Sequence, residues 1–156
     1  MVRIQAGMNG FGRFGLHLLR YWLNHVEDAP YTIQYINDDG LDLDKALDII
    51  NTDPYVQFND FDVIRKGDFL CFAKGDRYIE IAYSHCDRTE IPWIGQPDVV
   101  FECSGKATVA ERCQPYLTGN TQRVLISATS WDADKTLVYG FNHQDFTPDL
   151  KVVSYG

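Results

Sequence analysis

The segment Asn9-Gly10-Phe11-Gly12-Arg13-Phe14-Gly15 follows the apolar run at residues 2–8 and leads into an amphipathic stretch, the order of a strand, a glycine turn and a helix start. The three glycines stand at the spacing of the dinucleotide fingerprint, in which each answers a different steric demand. Gly10 permits a tight turn, Gly12 lets backbone approach a pyrophosphate, and Gly15 lets the helix pack on the strand. Unpaired amide N–H groups and the positive end of the helix dipole hold a phosphate at such a turn, so an anionic ligand needs no lysine there. A glycine-rich turn between strand and helix also forms with no ligand at all, and the triplet alone leaves both readings open.

A second apolar run, at residues 32–36, ends in Asn37-Asp38-Asp39 and places Asp38 twenty-three residues after Gly15. A carboxylate at the tip of a second strand accepts hydrogen bonds from ribose hydroxyls and repels a 2'-phosphate, which favours NAD over NADP. The competing reading is that Asp38 and Asp39 only initiate the turn before Gly40 through Asx chemistry.

Between these runs Phe14, Leu18, Leu19, Trp22, Leu23 and Val26 recur at helical spacing until Pro30. Leu43, Ala46, Leu47, Ile49 and Ile50 mark a second helix that Thr52-Asp53-Pro54 ends. Residues 69–73 and 78–82 flank Lys74-Gly75-Asp76-Arg77 and predict an antiparallel hairpin inserted into the α/β pattern. The continuous apolar run at 99–101 predicts a buried parallel strand ending at Glu102-Cys103-Ser104-Gly105. A helix over 107–117 and strands at 124–126, 137–139 and 151–153 complete the expectation. The fold class is α/β, a Rossmann-like doubly wound and mostly parallel sheet, with ligands outside the carboxyl ends of its strands. Asp38, Ser104, Gly105, Ser127 and Thr129 fall at such ends, where caps and turn formers also occur.

The 156 residues suffice for one domain, 1–156. The formal charge of −8, from 14 basic and 22 acidic residues, argues against nucleic acid and anionic membrane as partners. No run reaches the roughly 18 apolar residues of a membrane span, and the N-terminus lacks a signal pattern, so the cytoplasm is the expected location. Cys71, Cys86, Cys103 and Cys113 form no C-x-x-C pair, and His17, His25, His85 and His143 are dispersed. No metal site is expected. Neighbours on a strand face opposite ways, so His85-Cys86 is read as an accidental pair.

Asn9-Gly-Phe-Gly-Arg-Phe-Gly15, Ile36-Asn-Asp38, Glu102-Cys-Ser-Gly105, Val124-Leu-Ile-Ser-Ala128, Tyr139-Gly-Phe-Asn-His143 and Val152-Val-Ser154 together resemble the N-terminal half of glyceraldehyde-3-phosphate dehydrogenase. The resemblance covers the whole chain in consistent order. It implies a cytoplasmic, glycolytic, NAD-dependent oxidation of an aldehyde phosphate to an acyl phosphate, in a protein that is usually a homotetramer. On this resemblance Asn9, Gly10, Gly12, Arg13 and Phe14 hold the pyrophosphate, Asp38 the ribose, Ser104 and Gly105 the neighbouring phosphate and ribose, and Ser127 the nicotinamide side. The family's nucleophilic cysteine is expected just after Gly156 and its base in a second domain, so this chain is expected to hold no catalytic residue and to be a truncated, inactive piece that grips the aldehyde phosphate only with the rest.

Three positions depart from the family pattern. Cys86 replaces an arginine before Asp87, Lys106-Ala107 replace an aromatic wall after Ser-Gly, and Leu16 replaces an arginine after Gly15. Weaker NAD affinity is the expectation. Two other readings stay open: an erythrose 4-phosphate dehydrogenase-type paralogue, and a stand-alone dinucleotide-binding module without chemistry.

Overall fold

The computed structural model describes residues 2–156. Its elements run β1 (Ile4–Asn9), α1 (Arg13–Asn24), β2 (Tyr31–Asn37), α2 (Leu43–Thr52), β3 (Asp62–Lys66), β4 (Phe69–Lys74), β5 (Arg77–Ser84), β6 (Val99–Glu102), α3 (Ala110–Cys113), β7 (Arg123–Ile126), β8 (Lys135–Thr136) and β9 (Val152–Ser154). The strands form one sheet in the order β3-β4-β5-β2-β1-β6-β7-β9-β8. Only the β3–β4 and β4–β5 pairings are antiparallel, so the sheet is mostly parallel and the fold is α/β, Rossmann-like. β1 lies between β2 and β6. The chain therefore winds outward from β1 in both directions, and a crevice opens at its carboxyl end.

The helices form for local reasons. In α1, Leu16, Leu19, Trp22 and Leu23 repeat every three to four residues and are buried in one stripe. The Trp22 indole N–H donates to the Tyr31 carbonyl at 3.0 Å, fastening α1 to the start of β2. Asp42 caps α2 by accepting from the Lys45 N–H at 2.9 Å, and Asp53-Pro54 stops it. One core lies between these helices and the sheet, centred on Met8, Leu19, Trp22, Ile36, Phe72 and Ile81. A second, built from Trp93, Val100, Tyr116, Val124 and Val152, fills the opposite face. Across β6, β7 and β9 the sheet keeps a largely apolar groove of about 380 Å³, with Tyr31, Phe101, Leu125, Phe146 and Tyr155 among its walls.

The expected elements are present with four corrections. The hairpin is a three-stranded meander, and its last strand, β5, pairs in parallel with β2 rather than standing apart as an insertion. The strand that completes it, β3, was not expected. It is a charged, largely exposed edge strand and carries almost no apolar signal. The helix over 107–117 is only the four residues of α3 followed by a 3-10 turn at Gln114–Tyr116, because Pro115 supplies no N–H to continue an α ladder. The strand at 137–139 is displaced to β8. The Leu137 N–H makes a last bond to Ser154, then Val138 turns away and donates to the Asn142 side chain at 2.7 Å.

Gly7 shows how tightly the second core closes on the sheet: a Cβ there would stand 2.6 Å from the Trp93 ring. Gly7→Ala is expected to cost about 1–3 kcal/mol through overpacking. In urea melts most of that loss should return in the Gly7→Ala, Trp93→Leu double variant, and additive losses would show that the contact is not the cause.

Candidate functional site

The three glycines of the turn are held by different neighbours. Gly10 has φ +98°, and a Cβ on it would lie 2.4 Å from the Ser104 backbone nitrogen, so the ends of β1 and β6 touch through this residue. A Cβ on Gly15 would lie 2.4 Å from the Gly10 carbonyl oxygen, which is helix packed against turn. Gly12 is unlike both. Its φ is an ordinary −86° and a Cβ there meets nothing within 4 Å. Nothing in the described residues requires glycine at this position, and the space beside it faces the start of α1.

That helix start is bare. Gly12 occupies the cap position and offers no side chain, and the first turn holds no acid. The leading N–H groups of α1 thus have no side-chain acceptor and concentrate the positive end of the helix dipole. The capped start of α2 shows the contrast.

Asp38 ties the turn to the tip of β2. Its Oδ2 accepts from the Phe11 N–H at 2.7 Å, and its Oδ1 accepts from the Gly40 and Leu41 N–H groups at 2.8 and 2.9 Å. The turn-forming role is therefore real, and it leaves the partly exposed carboxylate beside the glycine turn.

Beneath the turn a hydrogen-bonded relay crosses four strand ends. The Trp93 indole donates to Ser84, the Ser84 hydroxyl to Asn37 Oδ1 at 2.8 Å, Asn37 Nδ2 to Asn9 Oδ1 at 2.9 Å, and Asn9 Nδ2 to Glu102 Oε2 at 3.0 Å. The Tyr116 hydroxyl donates to the same Glu102 oxygen at 2.7 Å, while the Ser104 N–H, at 2.9 Å, and its hydroxyl donate to Oε1. Glu102 is 1% exposed and forms no ion pair among the described residues, so four donors carry the burial of its carboxyl group. Burial first, then the Glu102 charge and the bond to it, hold the Tyr116 hydroxyl far above its ordinary pKa.

The fold brings Asn9, Gly10, Gly12, Asp38, Ser104 and Gly105 to one crevice. Gly105 takes φ +70°, which keeps the backbone low beside Ser104. The Arg13 guanidinium turns away to Asp53 at 2.8 Å and leaves only its backbone at the turn. The Phe14 side chain lines an apolar recess with Phe101, Cys103, Leu125 and Ser127, while its backbone stays in the first turn of α1. Asn37, Ser84, Glu102 and Tyr116 were not among the expected site residues. Their signal was present: the apolar strands that end here each finish on one polar side chain.

The cysteines divide by environment. Cys71 and Cys113 are fully buried. Burial pushes the Cys113 thiol up to about 12. Burial also pushes Cys103 up to about 12, with a Ser127 hydrogen bond opposing and the Glu102 charge adding to the shift. The Cys86 backbone N–H and carbonyl both bond to the Asn37 side chain, at 3.2 and 3.1 Å, so this position holds the relay through its main chain. Among the described residues no group of His, Cys, Asp and Glu side chains is placed to hold a metal ion.

The chain is 34% identical over 152 residues to a cytosolic glyceraldehyde-3-phosphate dehydrogenase of Gracilaria gracilis, a match covering 96% of this chain and 43% of the relative. It is 35% identical to the glyceraldehyde-3-phosphate dehydrogenase of Mastigamoeba balamuthi, with 96% of this chain and 44% of that protein aligned, and 33% identical to that of Cereibacter sphaeroides, with 98% and 44% aligned. The chain is homologous to a part of the glyceraldehyde-3-phosphate dehydrogenases. No family model matches it. It spans less than half the length of these relatives. Among the described residues no helix is long and apolar enough to cross a membrane. Of the departures from the glyceraldehyde-3-phosphate dehydrogenase pattern, Ala107 is fully buried in the second core, and Lys106 reaches across the crevice mouth to both Asp39 oxygens at 2.8 and 2.6 Å.

Glu102→Gln sets an amide N–H against donors that need an acceptor. It should lower stability by about 1–3 kcal/mol in chemical denaturation, with Tyr116→Phe costing less; equal stability of Glu102→Gln and the parent would show that the relay does not hold the strand ends. Iodoacetamide at pH 7.5 should leave Cys103 and Cys113 unmodified in the folded chain, since both remain thiols there, and peptide mass mapping reads the outcome.

Proposed function

We propose that this chain is the NAD-binding part of a phosphorylating glyceraldehyde-3-phosphate dehydrogenase. The observation that carries the reading is Gly12: the fold itself accounts for Gly10 and Gly15, whereas the space at Gly12 is explained by a ligand lying against the start of α1. The residues fit that ligand. The bare N–H groups of α1 receive the pyrophosphate, the Asp38 carboxylate receives the adenosine ribose hydroxyls, and Ser104 and Gly105 line the opposite wall. When bound, NAD supplies a hydride acceptor.

The chain's own groups bind and orient. Asn9 and Glu102, locked by the relay, hold the ends of β1 and β6 at fixed separation, so the glycine turn and the Ser104 loop face each other without rearrangement. None of the cysteines is set up as an activated nucleophile, because Cys71 and Cys113 are buried, Cys103 stays protonated and Cys86 serves the relay by its backbone. In this reading the chain alone binds cofactor and oxidises nothing. Oxidation of the aldehyde phosphate, the homotetramer and the cytosolic location belong to the longer protein.

Gly12→Val tests the reading. It should cost less than about 1 kcal/mol of stability while removing NAD binding measured by calorimetry. Gly10→Val and Gly15→Val should cost about 3 kcal/mol or more, because backbone stands where each Cβ would go. NAD binding unaltered by Gly12→Val would rule out the cradle.

A further inference from the structure

Beside the glycine turn lies a small pocket of about 180 Å³ lined by Asn9, Asp39, Asp87, Arg88, Ser104, Lys106 and Arg112, without one apolar side chain. Its three cations come from three successive pieces of chain and are chained together. The Arg88 guanidinium donates to the Arg112 carbonyl at 2.6 Å, Arg112 donates to the Lys106 carbonyl at 2.6 Å, and the Lys106 ammonium grips Asp39. The acids nearby are already engaged. Asp39 holds Lys106, Asp87 accepts from the Thr89 N–H and hydroxyl at 3.0 and 2.8 Å, and Asp38 accepts three backbone N–H groups. Among the described residues, neither Arg88 nor Arg112 has a carboxylate within ion-pair distance. The pocket therefore presents two guanidiniums that are bonded to backbone carbonyls but not neutralised by a carboxylate among the described residues, and an ammonium on a flexible stem.

We infer that this pocket accepts a phosphate on the adenosine ribose, so that the chain binds NADP as well as NAD. The inference rests on the dinucleotide reading above, because the ribose reaches the pocket only if the pyrophosphate lies at Gly12 and the ribose at Asp38. Lys106 stands on Asp39, the residue after that ribose acceptor, and a guanidinium or ammonium beside the ribose is the feature that accommodates a 2'-phosphate in this architecture. The repulsion expected of Asp38 is reduced by the three N–H groups its carboxylate already accepts. The Lys106–Asp39 pair does not block the site. Its side chains are 65% and 37% exposed, and an ion pair that wet opens at little cost. On opening, Lys106 exchanges a carboxylate for a phosphate at the same crevice mouth.

Isothermal titration of the 156-residue chain with NAD, NADP, 5'-AMP and 2',5'-ADP tests this. NADP should bind at least as tightly as NAD, and 2',5'-ADP more tightly than 5'-AMP. Lys106→Gln and Arg88→Gln should each weaken NADP and 2',5'-ADP by about tenfold while changing NAD by less than about threefold, the loss expected for one charge-assisted hydrogen bond. NAD bound tenfold or more tighter than NADP, or Lys106→Gln weakening both dinucleotides alike, would overturn the inference and leave the dinucleotide reading standing. Absence of binding by both dinucleotides would overturn the two together.

Discussion

The crevice depends on one buried carboxyl group. Glu102 sits at the end of β6 with no ion-pair partner among the described residues, and four hydrogen-bond donors from β1, from the Ser104 loop and from Tyr116 converge on its two oxygens. A buried carboxyl group left without hydrogen-bond partners is costly, so each donor is under strong constraint to stay in place. The constraint propagates along Asn9 and Asn37 to Ser84, which fixes the tips of β6, β1, β2 and β5 relative to one another. Parallel strands with separate crossovers gain their mutual position from such cross-strand contacts, since no hairpin turn sets it. The glycine turn is thus held in place by the polar atoms beneath it.

Electrostatics reach the same place by another route. The chain carries a net charge of −8, which opposes long-range attraction of a dinucleotide. At short range the field is set by backbone dipoles instead. α1 begins at Gly12, a cap residue with no side chain, while α2, of similar length and nearby, has its start closed by Asp42 and carries Asp44 in its first turn. Of these two helices, only the one at the crevice keeps its leading N–H groups free of a side-chain cap. The one basic side chain of the turn is also drawn away, as the Arg13 guanidinium goes to Asp53 and over the Tyr55 ring.

Much of this was legible in the sequence. The alternation of β and α, the glycine spacing and Asp38 all follow from local steric and hydrophobic rules, and those elements fall within a few residues of the expected positions. The misses have both local and tertiary causes. β3 is a strand because β4 offers it an edge, not because Asp62-Val-Ile-Arg-Lys66 has an apolar face. The end of the second half is cut short at 137 because Asn142 captures the Val138 N–H. The relay was hidden for a different reason. A polar residue at the end of a strand reads as a cap or turn former, and only the sheet order brings Ser84, Asn37, Asn9 and Glu102 side by side.

The departures from the family pattern acquire a physical meaning at the crevice mouth. An aromatic wall and a proximal arginine suit a ligand whose outer end is a flat, uncharged base. Here Ala107 is drawn into the core and Lys106 stands outside it, so one insertion of charge and one loss of apolar surface occur in adjacent residues. Cys86 likewise keeps the main-chain bonds to Asn37 that the relay needs while presenting no charge of its own. The polar framework under the turn is therefore separable from the surface above it: backbone and buried side chains fix the crevice, and the half-buried residues at 86 and 88 with the exposed ones at 106 and 112 set the chemistry of its mouth.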